Sequence, residues 1–119
     1  PERVVIQALG GEQRLRSALL AAGYGLADEQ LVADGRRVFL TLTFVREGGV
    51  RALAGDVESF VGPHLLRRGG PLLGAWLAVQ AAWLGEQVAS VRHLDDGVAQ
   101  AARRRLAAIE AAIDAARGA

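Results

Sequence analysis

Apolar positions are densest in Val38-Phe39-Leu40-Thr41-Leu42-Thr43-Phe44-Val45, where every residue is β-branched, aromatic or Leu. Such residues fit a pleated, buried surface, and the run predicts a strand. Val38, Leu40, Leu42 and Phe44 fall on one face and Phe39, Thr41, Thr43 and Val45 on the other, with no charge on either. A strand apolar on both faces belongs inside a sheet covered on both sides. The preceding stretch, Leu31–Val38, carries Asp34-Gly35 between two strand-like runs, a hairpin signal because Gly supplies the positive φ of a tight turn.

Further upstream, Arg3-Val4-Val5-Ile6-Gln7 predicts a short strand, and Gly10-Gly11 precede a helix that starts near Gly11 or Glu12. Leu15, Ala18, Leu19 and Ala22 recur at helical spacing against polar Glu12, Gln13, Arg14 and Arg16, and Gly23 ends the helix. A second strand starts near Tyr24–Leu26. Joined through a helix, it runs parallel to Val4–Ile6, so the hairpin returns Val38–Val45 antiparallel. A central Val38–Val45 must then insert between the other two strands. The expected fold class is α/β: strand, helix, strand and antiparallel strand, followed by an antiparallel α-helical hairpin.

Past the sheet, Arg46–Gly55 reads as a loop, and Asp56 as the N-cap of a short helix, Val57–Val61, interrupted by Gly62-Pro63. A long helix runs from Pro71 to about Arg92, with Leu73, Leu77, Leu84, Val88 and Val91 near one stripe and Trp76 and Trp83 on a neighbouring one. His93–Gly97 predicts a turn capped by Asp95 or Asp96. The last helix, Val98 to Ala116, has a heptad-like seam of Val98, Ala102, Leu106, Ile109, Ile113 and Ala116. The expected divisions are 1–46 for the sheet portion, 47–70 for a connecting loop and short helix, and 71–119 for a coiled-coil-like helical hairpin.

Composition narrows the function classes. With 119 residues, 51% apolar, the chain is sized for one folded domain. It has no Cys, which removes disulfide frameworks and cysteine metal sites. All 14 basic residues are Arg, yet the net charge is only +1, a weak electrostatic footprint for nucleic acid. The apolar run Pro71–Gly85 falls short of the roughly 20 residues of a membrane span. Surface attachment through that helix is disfavoured by the few basic residues on its polar face. The chain opens at Pro1 without Met and enters a strand almost at once, which points to a start inside a larger unit. No secretion signal is visible, so the expected location is cytoplasmic.

No Ser/His/Asp, Cys/His or paired-carboxylate constellation is present, so no catalytic, cofactor-binding or metal residue is assigned. Gly10-Gly11 lacks the spaced glycines of a dinucleotide fingerprint and the Lys of a P-loop, and reads as a plain strand-to-helix turn. Asp28 and Glu29, adjacent on a strand, face opposite ways and are expected to cap or solvate its end. His64 and His93 lack metal-ligand spacing and are expected to be structural. Arg103-Arg104-Arg105 spread over about 200° of helix and form no single patch. Arg67 and Arg68, in a Gly-flanked loop, are the better candidate RNA contacts. Trp76 and Trp83 are expected in the core.

Three stretches carry a resemblance. The first is Arg3–Gln7 with Arg16-Ser17-Ala18-Leu19-Leu20-Ala21-Ala22-Gly23-Tyr24 through Asp28-Glu29. The second is Leu31–Leu42 with Asp34-Gly35. The third is Val61-Gly62-Pro63-His64-Leu65-Leu66-Arg67-Arg68-Gly69-Gly70-Pro71-Leu72 before two long helices. In this order they resemble the C-terminal half of the bacterial tRNA adenine-N1 methyltransferases that use S-adenosylmethionine, over nearly the whole chain. The resemblance implies the end of a Rossmann-like methyltransferase sheet and an appended helical hairpin that helps engage tRNA. It also implies a Gly-rich S-adenosylmethionine loop in an earlier strand–helix unit that this sequence does not contain. Gln7 becomes a candidate substrate-side residue. The chain departs from the family where Ala8-Leu9 replace Pro-Asn, where Gly70 replaces Asn, and where Arg or Ala replaces Lys.

Two readings follow. In one, the chain is part of an S-adenosylmethionine-dependent tRNA adenine-N1 methyltransferase, without its cofactor half and inactive alone. No cofactor then binds this chain by itself, tRNA is the partner, and the sheet edge at Val4–Ile6 is open to pairing with a second copy. In the other, it is a non-catalytic module that binds RNA or dimerises through its helical hairpin.

Overall fold

The computed structural model describes residues 2–8, 10–91 and 97–117, the last without its side chain. The elements are β1 (Arg3–Ala8), α1 (Glu12–Ala21), β2 (Gly25–Asp34), β3 (Arg37–Val45), α2 (Gly55–Phe60), α3 (Pro63–Arg68), α4 (Pro71–Val91) and α5 (Gly97–Arg117). They form two compact units, residues 1–68 and 69–119. The expected turn at His93–Gly97, with its Asp95 or Asp96 cap, lies outside the described residues except Gly97, which opens α5.

The first unit is a three-stranded sheet of order β1-β3-β2, with β3 antiparallel to both neighbours. β1 and β2 are therefore parallel to each other with β3 inserted between them, as the α1 crossover requires. α1 ends in a Schellman motif: Gly23 N–H donates to the Leu20 carbonyl at 3.1 Å and Tyr24 N–H to that of Leu19 at 3.0 Å.

Register defines the two faces. Val4, Ile6 and Ala8 of β1 lie opposite Phe44, Leu42 and Leu40 of β3, which in turn face Leu26, Glu29 and Leu31 of β2. Leu26, Leu40, Leu42, Phe44 and Ala8 are buried there, joined by Val61 and Leu65. A register shift between Leu26 and Asp28 places Leu26 and Glu29, three residues apart, on one face. The opposite face is less covered: Thr43 is buried, Phe39, Thr41 and Val45 are half-buried, and Val5 is 57% exposed.

The hairpin turn differs from the expected Asp-Gly turn. Asp34 pairs with Arg37, so the loop is Gly35-Arg36, with positive φ (61°) at Gly35 and none at Arg36. A two-residue loop with Gly in its first position is the type II′ pattern. The α2 N-cap is Ala54, not the expected Asp56, which lies in the helix's first turn. There the Glu58 carboxylate reaches back to accept from Ala54 N–H at 2.9 Å.

In the second unit α4 and α5 pack against each other. Leu73, Leu77 and Leu84 of α4 and Ala99, Ala108, Ile109 and Ala112 of α5 are buried. Arg105, near the middle of α5, donates to Gln80 near the middle of α4 at 3.2 Å, while Ile113 and Ala116 further on share a groove with the earlier Gly74 and Leu77, so the helices run antiparallel. The seam departs from the expected one at both ends. Val98 is 65% exposed and Ala99 buried in its place, and Ala116 is exposed. A heptad pattern fixes the spacing of a stripe but not its rotation, and in an Ala-rich helix the smaller residue is as able to meet a neighbour. Trp83, expected in the core, is 52% exposed.

Candidate functional site

The chemistry of the first unit gathers at Arg16 and Glu29. Both side chains have zero exposure, and their Nη2 and Oε2 atoms lie 2.6 Å apart. Arg16 Nε also donates to Glu29 Oε2 at 2.8 Å, Nη1 to the Ser59 carbonyl and Nη2 to the Val61 carbonyl, both at 3.0 Å. The other carboxylate oxygen, Oε1, accepts from His64 N–H at 2.9 Å. A planar guanidinium with five fixed donors suits this task, because one fork grips a carboxylate while other N–H groups reach two backbone carbonyls.

Chain geometry explains why these groups meet. Arg16 comes from α1, Glu29 from the core face of β2, the Ser59 carbonyl from the end of α2, the Val61 carbonyl from the link to α3, and the His64 N–H from the start of α3. Gly62, buried in that link, has φ of +110°. A Cβ there would sit 2.5 Å from Glu29 Oε1 and 2.6 Å from Arg16 Nη2, and would run into Glu29 Oε2 as well. His64 adds a second tie. Its Nε2 lies 2.8 Å from the Leu26 carbonyl, so that nitrogen carries the proton and donates. Leu26 also exchanges two 2.8 Å backbone bonds with Val50, tying the β3–α2 loop to β2.

These contacts correct the expected role of Glu29. It does not solvate a strand end; it is a buried carboxylate on the core face of the sheet. Adjacent Asp28 does face the other way, partly exposed, and accepts from Arg68 Nη2 at 2.5 Å. Arg68 Nη1 donates to the Glu29 backbone carbonyl at 2.8 Å. Arg67 and Arg68 form the last turn of helix α3, rather than a loop, where cations meet the helix dipole favourably. Arg67 is exposed; Arg68, though 51% exposed, is spent on β2. Arg68→Ala should cost about 1 kcal/mol, the scale of a solvent-screened pair. A melting shift corresponding to 3 kcal/mol or more would instead make Arg68 part of the buried network.

Gln7 is exposed, in register with Thr41, which pairs with Gln30. All three lie on the sheet face away from Glu29, so Gln7 and the buried pair do not share a site. At the opposite end of the strands, the Arg46 guanidinium stacks 4.8 Å over the Tyr24 ring. Arg51 donates to the Gly23 carbonyl at 3.0 Å and to that of Arg46.

What this arrangement can do chemically is limited. Among the described residues no buried side-chain polar atom lacks a partner, and no three His, Cys, Asp or Glu residues gather as a metal site. The α4–α5 groove, about 270 Å³, is lined by Gly74, Leu77, Ala78, Ile113 and Ala116, none with a polar side chain. No helix among the described residues is long and apolar enough to cross a membrane. The Arg16–Glu29 network is closed on itself, so it holds the sheet unit together and offers no free group to a ligand. Sequence reasoning missed it because Arg16 stands among polar neighbours on α1. The signal available was Gly62-Pro63, a forced close approach whose counterpart the sequence does not name.

No protein-family model matches the chain. No curated protein matches it either. Solved structures do. Sp1610 of Streptococcus pneumoniae, a candidate tRNA (m1A22) methyltransferase, aligns over 94% of this chain and 49% of its own, at 17% identity and a TM-score of 0.76. The same protein has been solved in complex with S-adenosyl-L-methionine. A Streptococcus agalactiae protein of the NADB-Rossmann superfamily matches over 95% and 48%, at 16% identity and a TM-score of 0.78. The B. subtilis m1A22 tRNA methyltransferase TrmK matches over 94% and 51%, at 16% identity and a TM-score of 0.76. The chain thus spans about half the length of the structures it matches, and over that half it shares their fold.

Proposed function

We propose that this chain is the C-terminal part of an S-adenosylmethionine-dependent tRNA adenine-N1 methyltransferase. One observation carries the reading most: β3 inserts antiparallel between parallel β1 and β2 and a helical pair follows, a combination matched over 94% of the chain by tRNA methyltransferase structures. The sequence resemblance supports it independently, and the network gives that resemblance a physical basis. Arg16, Asp28-Glu29, Gly62-Pro63 and Arg68, drawn from its quoted stretches, converge on one set of contacts.

The parent would bind S-adenosylmethionine and present adenine N1 of tRNA to its methyl group. The polar cluster, internally satisfied, and the α4–α5 groove, apolar, give no support to a cofactor site in this chain. No step is therefore assigned to this chain's residues, and the chain alone is read as inactive. Its contribution is the sheet end with Gln7 on the substrate side, and the helical hairpin toward tRNA. Arg67 stays a candidate RNA contact in this reading; Arg68 is instead a positioning residue. The edge of β1, with exposed Val5 and no charge between Val4 and Ala8, is open to pairing with a second copy.

The test uses the native gene product. Its intact mass is expected near twice that of this chain. Incubated with unmodified tRNA and labelled S-adenosylmethionine, it should form 1-methyladenosine, seen by nucleoside mass spectrometry. A native product of only these 119 residues, or a full product that transfers no methyl group to tRNA, overturns the reading.

A further inference from the structure

Among the described residues, the arginines divide by what their guanidinium groups do. Arg16 and Arg68 are held by carboxylates and carbonyls of their own unit, Arg51 by two carbonyls, and Arg46 lies on Tyr24. Arg36 and Arg37 at the β2–β3 tip, like Arg3, Arg14, Arg67 and Arg103 elsewhere, are exposed, and no acceptor or carboxylate among the described residues engages them.

The place of Arg36 and Arg37 in the sheet gives that difference a meaning. β1 and β2 both run antiparallel to β3, so their carboxyl ends lie on the same side. In open α/β sheets ligands bind in the crevice outside those ends. Among the described residues β1 pairs with β3 as far as Ala8↔Leu40, and the β2–β3 ladder continues for three pairs more, Val32↔Phe39, Ala33↔Val38 and Asp34↔Arg37, about 10 Å. Gln7, in register with Thr41, lies four residues or about 14 Å from Arg37 along β3. If Gln7 marks the substrate side, as in the reading above, the tip stands beside that position and not at it. The two-residue turn is closed by a ladder pair and so projects the arginines on a rigid support. Asp34, opposite Arg37, is the acid of the tip; two cations against it leave a net positive charge.

We propose that Arg36 and Arg37 at the β2–β3 tip grip the sugar-phosphate backbone of tRNA next to the target adenosine, positioning it at the carboxyl end of the sheet. This rests on the tRNA methyltransferase reading above. Arginine suits the role because its planar fork matches phosphate oxygens and stays charged. Contacts to backbone position a nucleic acid without reading its sequence.

The experiment measures tRNA affinity of the native gene product across a range of KCl, for wild type, Arg36→Gln, Arg36→Gln/Arg37→Gln and Arg3→Gln. Arg3 begins β1, at the far end of the sheet. Each tip arginine removed should raise the Kd on the order of tenfold at about 0.1 M salt and lower the log–log salt slope by about one. Arg3→Gln should change neither. Arg36→Lys/Arg37→Lys, which keeps the charge, should retain the slope, so a loss through misfolding of the Gln variants is told apart by this variant and by their melting temperatures. Tip variants that fold and bind tRNA as wild type does overturn the proposal, as does a wild type that binds no tRNA. The parent reading is judged separately, by 1-methyladenosine formation. A wild type that methylates tRNA while the tip variants bind normally sinks the tip alone. A wild type that binds through the tip without methylating removes the enzyme and keeps the contact.

Discussion

Arg16→Leu is expected to lower the stability of the sheet unit by about 3–5 kcal/mol, the scale for breaking a buried ion pair by removing one partner. Glu29 would be left fully buried without its cation partner, and the Ser59 and Val61 carbonyls would lose their donors. Tryptophan fluorescence would not report this, since Trp76 and Trp83 both sit in α4. Amide hydrogen exchange at Leu42 and Phe44 would, and it should accelerate by between about 10² and 10⁴ if those amides exchange through unfolding of the unit. An acceleration below tenfold would mean that the guanidinium does not hold the unit together. The double change Arg16→Leu/Glu29→Leu separates charge from hydrogen bonding. Replacing a buried pair by apolar groups is often neutral. Here it would still orphan two carbonyls and the His64 N–H, at about 1–3 kcal/mol for each group that stays buried. The double variant should recover only part of the loss.

This network also shows where the sequence stops being legible. The strands, their order and the α1 boundaries follow from local signals: a β-branched run, helical spacing after Gly10-Gly11, and a Gly at the end. Those signals act over a few residues and are fixed by backbone sterics. The buried partners of α1 were not legible in the same way. Leu15, Ala18 and Leu19 mark the apolar stripe, yet Glu12 and Arg16, four residues apart on the other stripe, are the α1 residues that are buried. Periodicity assumes that burial follows hydrophobicity. It fails where a charge on one element is matched by a charge 13 residues away on another. Glu29 was hidden for a second reason: the bulge at Leu26/Asp28 shifts the alternation of β2 and brings Glu29 onto the face of Leu26. Arg68 looks like a free cation in the sequence because its acceptors lie 39 and 40 residues earlier in the chain. Residue type alone puts Trp83 in the core, yet it lies off the stripe of Leu73, Leu77 and Leu84 that α4 buries.

Gly62→Ala should be as damaging as losing the ion pair, although it removes no interaction directly. Two costs add. At φ +110° an L-residue is strained, by roughly 1–3 kcal/mol. The new methyl would also stand 2.5 Å from Glu29 Oε1 and 2.6 Å from Arg16 Nη2, far inside contact distance. Neither neighbour is the free end of a flexible side chain, because Glu29 and Arg16 are each held at several atoms. To admit the methyl, the α2–α3 link must move away, which pulls the Val61 carbonyl and His64 N–H off their partners. A total above about 3 kcal/mol is expected. The comparison with Gly35→Ala is decisive. Gly35 also has positive φ, at 61°, but a Cβ there meets nothing within 4 Å. That substitution should cost only the backbone term, about 1–2 kcal/mol. If exchange at Leu42 and Phe44 accelerates equally in the two variants, backbone strain alone explains Gly62. If Gly62→Ala is worse by tenfold or more, the glycine is there to let the chain approach the Arg16–Glu29 pair.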